Sequence, residues 1–431
     1  MFKKISVLVI VVLVGLLTLS NMVYAEEGEL VYWSMWEKGE PQQKVLEEAF
    51  NDFSEEFDVE VDLNWVGRDN LTTLKTRTLS EQNVDLVDKK AEEIYGALVA
   101  NDMVKDLSNV LEMKVPNEDN TVGEVLIEES YNAYQKEDGT VHMLPYNFIT
   151  SAFWYDKALF RDLSIEVPET WDEFLVMTEK MKENDLEPVA FGLQTGVYVG
   201  YFPYLTSVRI LGEGALNRAA GDPSGKLFED PAWERVGEVL YSFSKEGDNL
   251  LMENYESSVY PGPQMDWVMG IAGTFYCGSW IPIETKSAAG PDFEYGSFQF
   301  PTFEGGKGDP TAVESYPIGM SILKNSDNVE LAEKFIAFFS QEKYAEKWVE
   351  VTKNMSPRKG VEPAPELQDA YQSLMKAEKT FRLYDGVQAD YPTWYSNVFL
   401  PISRDVLSGN INGKEFAEQM RIQTIKHWKQ N

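Results

Sequence analysis

Residues 30–63 constrain the fold most. Residues 30–33 form a short β-prone run that ends in the loop Ser34-Met35-Trp36-Glu37-Lys38-Gly39. Pro41 suits the first turn of a helix, where its missing N–H would have no partner anyway. Apolar residues then recur with helical spacing at Val45, Leu46, Ala49, Phe50 and Phe53. Residues 59–63 (Val-Glu-Val-Asp-Leu) alternate apolar and acidic side chains, the period of a strand. Strand, helix and strand in that order predict a βαβ unit with parallel strands and a helix over one face. The chain is therefore expected to be α/β, with mixed sheets flanked by helices.

Further along, a third strand is expected at residues 84–87 and helical stretches at 91–100 and 121–134. Asp138-Gly139 is a hairpin-turn signal, with strands expected around it at 141–146 and 151–155. In the segment 168–174, Thr170 caps a helix and Glu173, three residues on, returns the capping bond. Strands are also expected at 189–193 and 316–323, a helix at 331–339, and mostly helical chain beyond Pro365. The sequence contains no internal repeat, low-complexity tract or flexible linker. Two α/β lobes joined by several crossing strands fit this better than two domains on a tether.

Lys3 and Lys4, the apolar run at 5–19 and Val23-Tyr24-Ala25 have the order of a secretory signal peptide, residues 1–25. The run is short for a bilayer span, which needs about 20 apolar residues. No cysteine follows it to carry a lipid. The expectation is an exported protein, periplasmic or extracellular, without stable membrane insertion. Cys277 is the only cysteine, so no intramolecular disulfide forms and stability rests on a core. A net charge of −33 repels phosphate backbones and anionic lipid, which argues against nucleic-acid and membrane-surface partners. The acids are spread along the chain, which favours a solvated acidic shell suited to high salt over selection for a cationic ligand.

Catalytic and metal signatures are missing. His142 and His427 are far apart and lack ligand-spaced partners. No G-x-S-x-G occurs. The phosphate-loop near-miss at 221–226 is one residue short and continues into Leu227, and in the calcium-loop near-miss at 117–128 the glycine is misplaced. Among 71 carboxylates, accidental acid pairs carry almost no information. Neither a cofactor nor a metal is expected. Aromatic residues, by contrast, make up 13% of the chain, which points to recognition surfaces beyond the core. Trp280, in Tyr276-Cys277-Gly278-Ser279-Trp280, follows Gly270 and Gly273 and precedes Pro282, as though a strand left the core and turned at a rim. An indole beside glycines there suits a ligand with a flat apolar face.

Several segments, taken in order, carry a resemblance. They are Leu144-Pro145-Tyr146 leading to Tyr155-Asp156-Lys157-Ala158-Leu159-Phe160, the capped segment 167–174, Gly278-Ser279-Trp280, residues 300–306, the strand–helix 318–339, and residues 407–416. Together they resemble the extracellular solute-binding proteins of ABC importers, in the carbohydrate-binding branch that includes maltodextrin-binding protein. The resemblance implies a two-lobed fold with residues 26–145 plus 316–352 in one lobe and 146–314 plus 356–431 in the other. Ligand would bind between lobes that close about a hinge. It also implies a non-catalytic monomer that hands a mono- or oligosaccharide to membrane permease subunits.

By the same resemblance, Trp280 is the stacking tryptophan and Trp394-Tyr395 a late aromatic pair. Tyr198 is a further sugar-facing ring, and Trp36 and Glu37 are contacts from the first loop. Asn147, Tyr276 and Arg358 complete the expected ligand set. The chemistry is common to all of them: a pyranose has an apolar C–H face that an aromatic ring covers, while amides and carboxylates meet its hydroxyls. Trp394 could equally be core, Glu37 a solvated acid and Arg358 a pin between lobes; Trp33 and Trp171 read as core. Residues 82–90 depart from the family pattern, with charges where polar or aromatic cleft residues are usual, which leaves Asp88 and its neighbours open as contacts. A polyamine-binding protein and a secreted glycoside hydrolase are the alternative functions.

Overall fold

Residues 28–77 and 83–430 are described in the computed structural model of the chain, and the leader expected at 1–25 lies outside them. The βαβ unit forms as its periodicity requires. β1 (Glu29–Ser34) and β2 (Glu60–Trp65) pair in parallel, with Glu29 beside Glu60 and Ser34 beside Trp65. The helix Pro41–Phe57 between them buries Val45, Leu46, Ala49, Phe50 and Phe53. Phe50 stacks on Phe335 with ring centroids 3.6 Å apart, which fastens this helix to the helix Val329–Phe339.

Two mixed sheets result. The first has the order β10-β9-β3-β1-β2, with β4 also on β9; the second has the order β6-β7-β5-β8. β3 (Leu86–Lys90) lies parallel to β1 and antiparallel to β9 (Val313–Ile322), whose ten residues are all buried. The chain passes between sheets almost without a connection. β4 (Leu144–Ile149) pairs with β9 in the first sheet, and after Thr150 alone β5 (Ser151–Asp156) enters the second. There β5 lies between β7 (Ala272–Gly278) and β8 (Tyr295–Phe298), and β6 (Glu187–Ala190) runs parallel to β7. β9 carries the chain back, and β10 (Thr380–Arg382) pairs with its start. The architecture is two lobes, each a sheet flanked by helices, with strands crossing where they meet. Among the described residues no helix is long and apolar enough to cross a membrane.

The capping box at Thr170 and Glu173 forms. Two other expectations need correction. The helix expected over 121–134 stops after Val122–Val125. Leu126 instead forms a bridge with Arg358, and the Ile127 N–H donates to the Pro357 carbonyl at 2.8 Å, so distant backbone takes bonds that a helix would have kept. Asp138-Gly139 makes a turn, closed by Gly139 N–H to the Lys136 carbonyl at 2.9 Å. It does not make a hairpin, because a 3-10 turn (Asn132–Tyr134) and not a strand precedes it, and β4 and β5 both follow it.

Candidate functional site

Where the lobes face each other lies a cavity of about 310 Å³, within the range of about 300–1,000 Å³ usual for small-molecule sites. Its walls come from the carboxyl ends of strands, where α/β sheets place their ligands. Met35 and Trp36 follow β1, Arg68 follows β2, Lys90 ends β3, and Trp280 follows β7 from the opposing lobe. Asn147 and Ile149 on β4 and Ile318 on β9 form the floor. Glu40, Glu284 and Asn354 complete the polar lining.

Trp280 owes its position to the glycine two residues before it. A Cβ on Gly278 would sit 1.9 Å from Trp280 Cζ3, so only glycine lets the indole fold back over the end of β7. The ring is half-buried and stands edge-on to Tyr316, with centroids 6.2 Å apart. Trp36 is fixed more firmly. Its indole N–H donates to the Tyr146 hydroxyl at 2.9 Å, and the Arg68 guanidinium lies 4.7 Å from its ring centroid. Arg68 in turn pairs with Glu40 at 2.5 Å and donates to the Met35 carbonyl.

Beneath this loop Asp88 is fully buried and organises the wall without joining it. Its carboxylate accepts the Met35 N–H at 2.6 Å, the Ser34 hydroxyl at 3.3 Å and the Tyr146 hydroxyl. Burial pushes the Asp88 carboxyl above its ordinary range, and those three donors work against the shift. Asn147 is also fully buried, at 0% exposure. Its amide oxygen accepts the Trp348 indole N–H at 3.3 Å, but its Nδ2 has no hydrogen-bond partner. A buried donor left unpaired costs stability, and Asn147 is a lining residue of the cavity that carries one.

The structure thus brings Trp36, Asn147 and Trp280 together. Glu37 is exposed outside the cavity, its backbone N–H donating to Glu40 at 2.6 Å. The remaining expected contacts are enclosed by protein. Tyr198 packs edge-on to Phe275 at 5.5 Å and Tyr276 edge-on to Phe153 at 5.0 Å. Trp394 has 0% exposure and donates its indole N–H to the Thr424 hydroxyl at 2.9 Å, while Tyr395 packs 5.1 Å from Tyr384. Arg358 pairs with Glu118 and donates to the Ser340 carbonyl, away from the cavity. Tyr198, Tyr276, Trp394, Tyr395 and Arg358 therefore do not line this cavity. Arg68, Lys90, Glu284 and Asn354 were not anticipated. The signal for the first two was present: a cation just past β2 and one closing β3 in a strongly acidic chain.

Residues 38–346 match the family described as bacterial extracellular solute-binding protein, well over half of the chain. The chain belongs to this family. This solute-binding protein is 25% identical over 248 residues to the multiple sugar-binding protein of Streptococcus mutans, a match covering 56% of this chain and 58% of that one. It is 24% identical over 227 residues to the diacetylchitobiose binding protein NgcE of Streptomyces coelicolor, covering 51% of this chain and 46% of that one. The matched region therefore spans about half the length of these curated relatives. In fold, the solute-binding protein is similar to the bacterial solute receptor AcbH, with a TM-score of 0.75 at 14% identity over 94% of this chain and 98% of that one.

Proposed function

We propose that this solute-binding protein is a non-catalytic, exported receptor that captures a mono- or oligosaccharide between its lobes and delivers it to the membrane permease of an ABC importer. The observation that carries the reading is the cavity at the lobe junction, whose lining holds the half-buried Trp280, Trp36 and Asn147 with its unpaired amide donor. An apolar wall for a C–H face and a directed donor for a hydroxyl are what a pyranose requires. The names of the relatives, which refer to multiple sugars, diacetylchitobiose and β-D-galactopyranose, support the same class.

Residues 26–145 plus 316–352 and 146–314 plus 356–431 are the proposed lobes, with residues 1–25 as a cleaved leader and a monomer as the working form. Ligand contacts to both walls would favour the closed arrangement, which the permease then recognises. A polyamine is less favoured because the relatives' names refer to sugars. The test is isothermal titration of the full chain against a sugar panel, with chromatography of the recovered ligand. Saturable binding with the sugar returned intact supports the proposal; turnover of the sugar, or spermidine binding in place of any sugar, overturns it.

A further inference from the structure

Lys90 is a cation in the cavity wall that has no ion-pair partner among the described residues; Glu93 is the acid that acts on it. It ends β3 opposite Ile318 on β9, which puts it on the same face as Tyr316 two residues away. Its ammonium lies 5.5 Å from the centroid of the Tyr316 ring, and it forms no ion pair with any described residue. The neighbouring charges are otherwise engaged. Arg68 is held by Glu40 at 2.5 Å, and Lys89 by Glu93 at 3.3 Å. Glu284 is on the opposite wall, beside Trp280. A half-buried ammonium whose side-chain partner is a phenol, with Glu93 already paired to Lys89, is unusual in a chain with 71 acidic and 38 basic residues.

Trp280 and Lys90 meet the same side chain, since the indole stands 6.2 Å from Tyr316 and the ammonium 5.5 Å. A sugar ring stacked on Trp280 therefore has Lys90 beside it and the fully buried, unpartnered Asn147 Nδ2 below. We propose that the cavity selects a saccharide bearing a carboxylate, a uronic acid unit, with Lys90 as the specificity-determining residue. This rests on the carbohydrate reading above. A single ammonium acts as a point charge and suits one monoanionic group. A phosphoryl group would call for a bidentate Arg or a nest of backbone N–H groups. The acidic shell repels an anion at long range, but salt screens that field over about 8 Å, whereas Lys90 acts at contact.

The experiment is isothermal titration of the full chain with di- and trisaccharides of galacturonate, glucuronate and mannuronate, each beside its neutral hexose counterpart and a hexose phosphate. At least one uronide should bind roughly ten- to hundredfold more tightly than its neutral counterpart, the worth of one charge-assisted contact. Lys90→Met should abolish that preference, read as the ratio of uronide to neutral-sugar affinity in the same variant, and Lys90→Arg should keep most of it. Neutral sugars or hexose phosphates binding as well as the uronides, or a preference that survives Lys90→Met, would overturn the inference and leave the carbohydrate reading intact. If Lys90→Met does not fold, the wild-type ratio and Lys90→Arg decide. Failure of every sugar, neutral and acidic alike, would sink both readings.

Discussion

Trp280→Ala separates recognition from packing at the residue on which the functional reading depends most. A Trp can bury roughly 150–250 Å². Trp280 is half-buried already, so a ligand has about half of that left to cover. At about 25 cal/mol/Å², 75–125 Å² of covered indole contributes about 2–3 kcal/mol. Part of the face borders Tyr316, so the lower end is the better figure, a loss of roughly 30-fold in affinity. Folding should suffer less, by about 1 kcal/mol, because the indole has open cavity on one side and its removal leaves no enclosed void. Trp394→Ala is the internal control: it empties a fully enclosed site, leaves the Thr424 hydroxyl without its donor, and should cost about 3–5 kcal/mol of stability. Titration calorimetry with the best sugar and urea denaturation of both variants measure the two quantities. If Trp280→Ala lost several kcal/mol of stability while affinity changed less than about threefold, the indole would be a packing residue and the reasoning wrong.

The neighbouring glycine gives a second route to the same point. Gly278→Ala puts a methyl group into the Trp280 ring, so affinity should fall about as far as in Trp280→Ala, read by calorimetry with the fold checked by circular dichroism. Glu314 on β9 is fully buried, accepts the Ser151 hydroxyl at 2.8 Å and is pushed by burial up to about 8 from 4.5. With the folded value raised, the stability tied to its neutral form is complete below about pH 4.5 and is lost as pH rises through about 8. Glu314→Gln should remove about 2–4 kcal/mol of that decline between pH 5 and 8 in urea melts, and parallel pH profiles for the two proteins would refute it. A net charge of −33 should make the wild-type melting temperature climb from about 0.05 M to 2 M potassium chloride as self-repulsion is screened, and a flat curve would remove the high-salt interpretation.

What the sequence disclosed was local. The βαβ unit and the Thr170–Glu173 box are written in spacings of two, three and four residues, and the structure follows them. The helix expected at 121–134 failed because Leu126 and Ile127 bond to backbone more than two hundred residues away, information that periodicity does not hold. The same limit divides the tryptophans. Trp280 and Trp394 both neighbour a proline in aromatic-rich sequence, yet Thr424 and Phe228 enclose one while the other borders open space. Glu37 and Trp36 are adjacent, and only the backbone direction after β1 decides which faces the cavity. Residues 82–90 held a clue to chemistry rather than to fold. The charges that departed from the family pattern sort into Asp88, buried as a brace for the first loop, and Lys90, facing the cavity.

That sorting follows from the polarity of the strands. β1, β2 and β3 run parallel, so their carboxyl ends reach the same edge of the first sheet and deliver Trp36, Arg68 and Lys90 there. β7 delivers Trp280 in the same way from the second sheet. β4 and β9 pass between these two edges, which is why Asn147 and Ile318 on them become the floor. A side chain at a carboxyl end projects into the gap, whereas one a residue or two earlier lies within a sheet buried on both faces and is committed to packing. Asp88 and Lys90 share a face of β3, yet the step of two residues separates a structural acid from a cation that lines the cavity. Extending β3 by two residues before Lys90 would move the ammonium by roughly 6–7 Å along the strand, beyond hydrogen-bond reach of a sugar on Trp280. Any preference for acidic sugars should then vanish while the stacking wall remains.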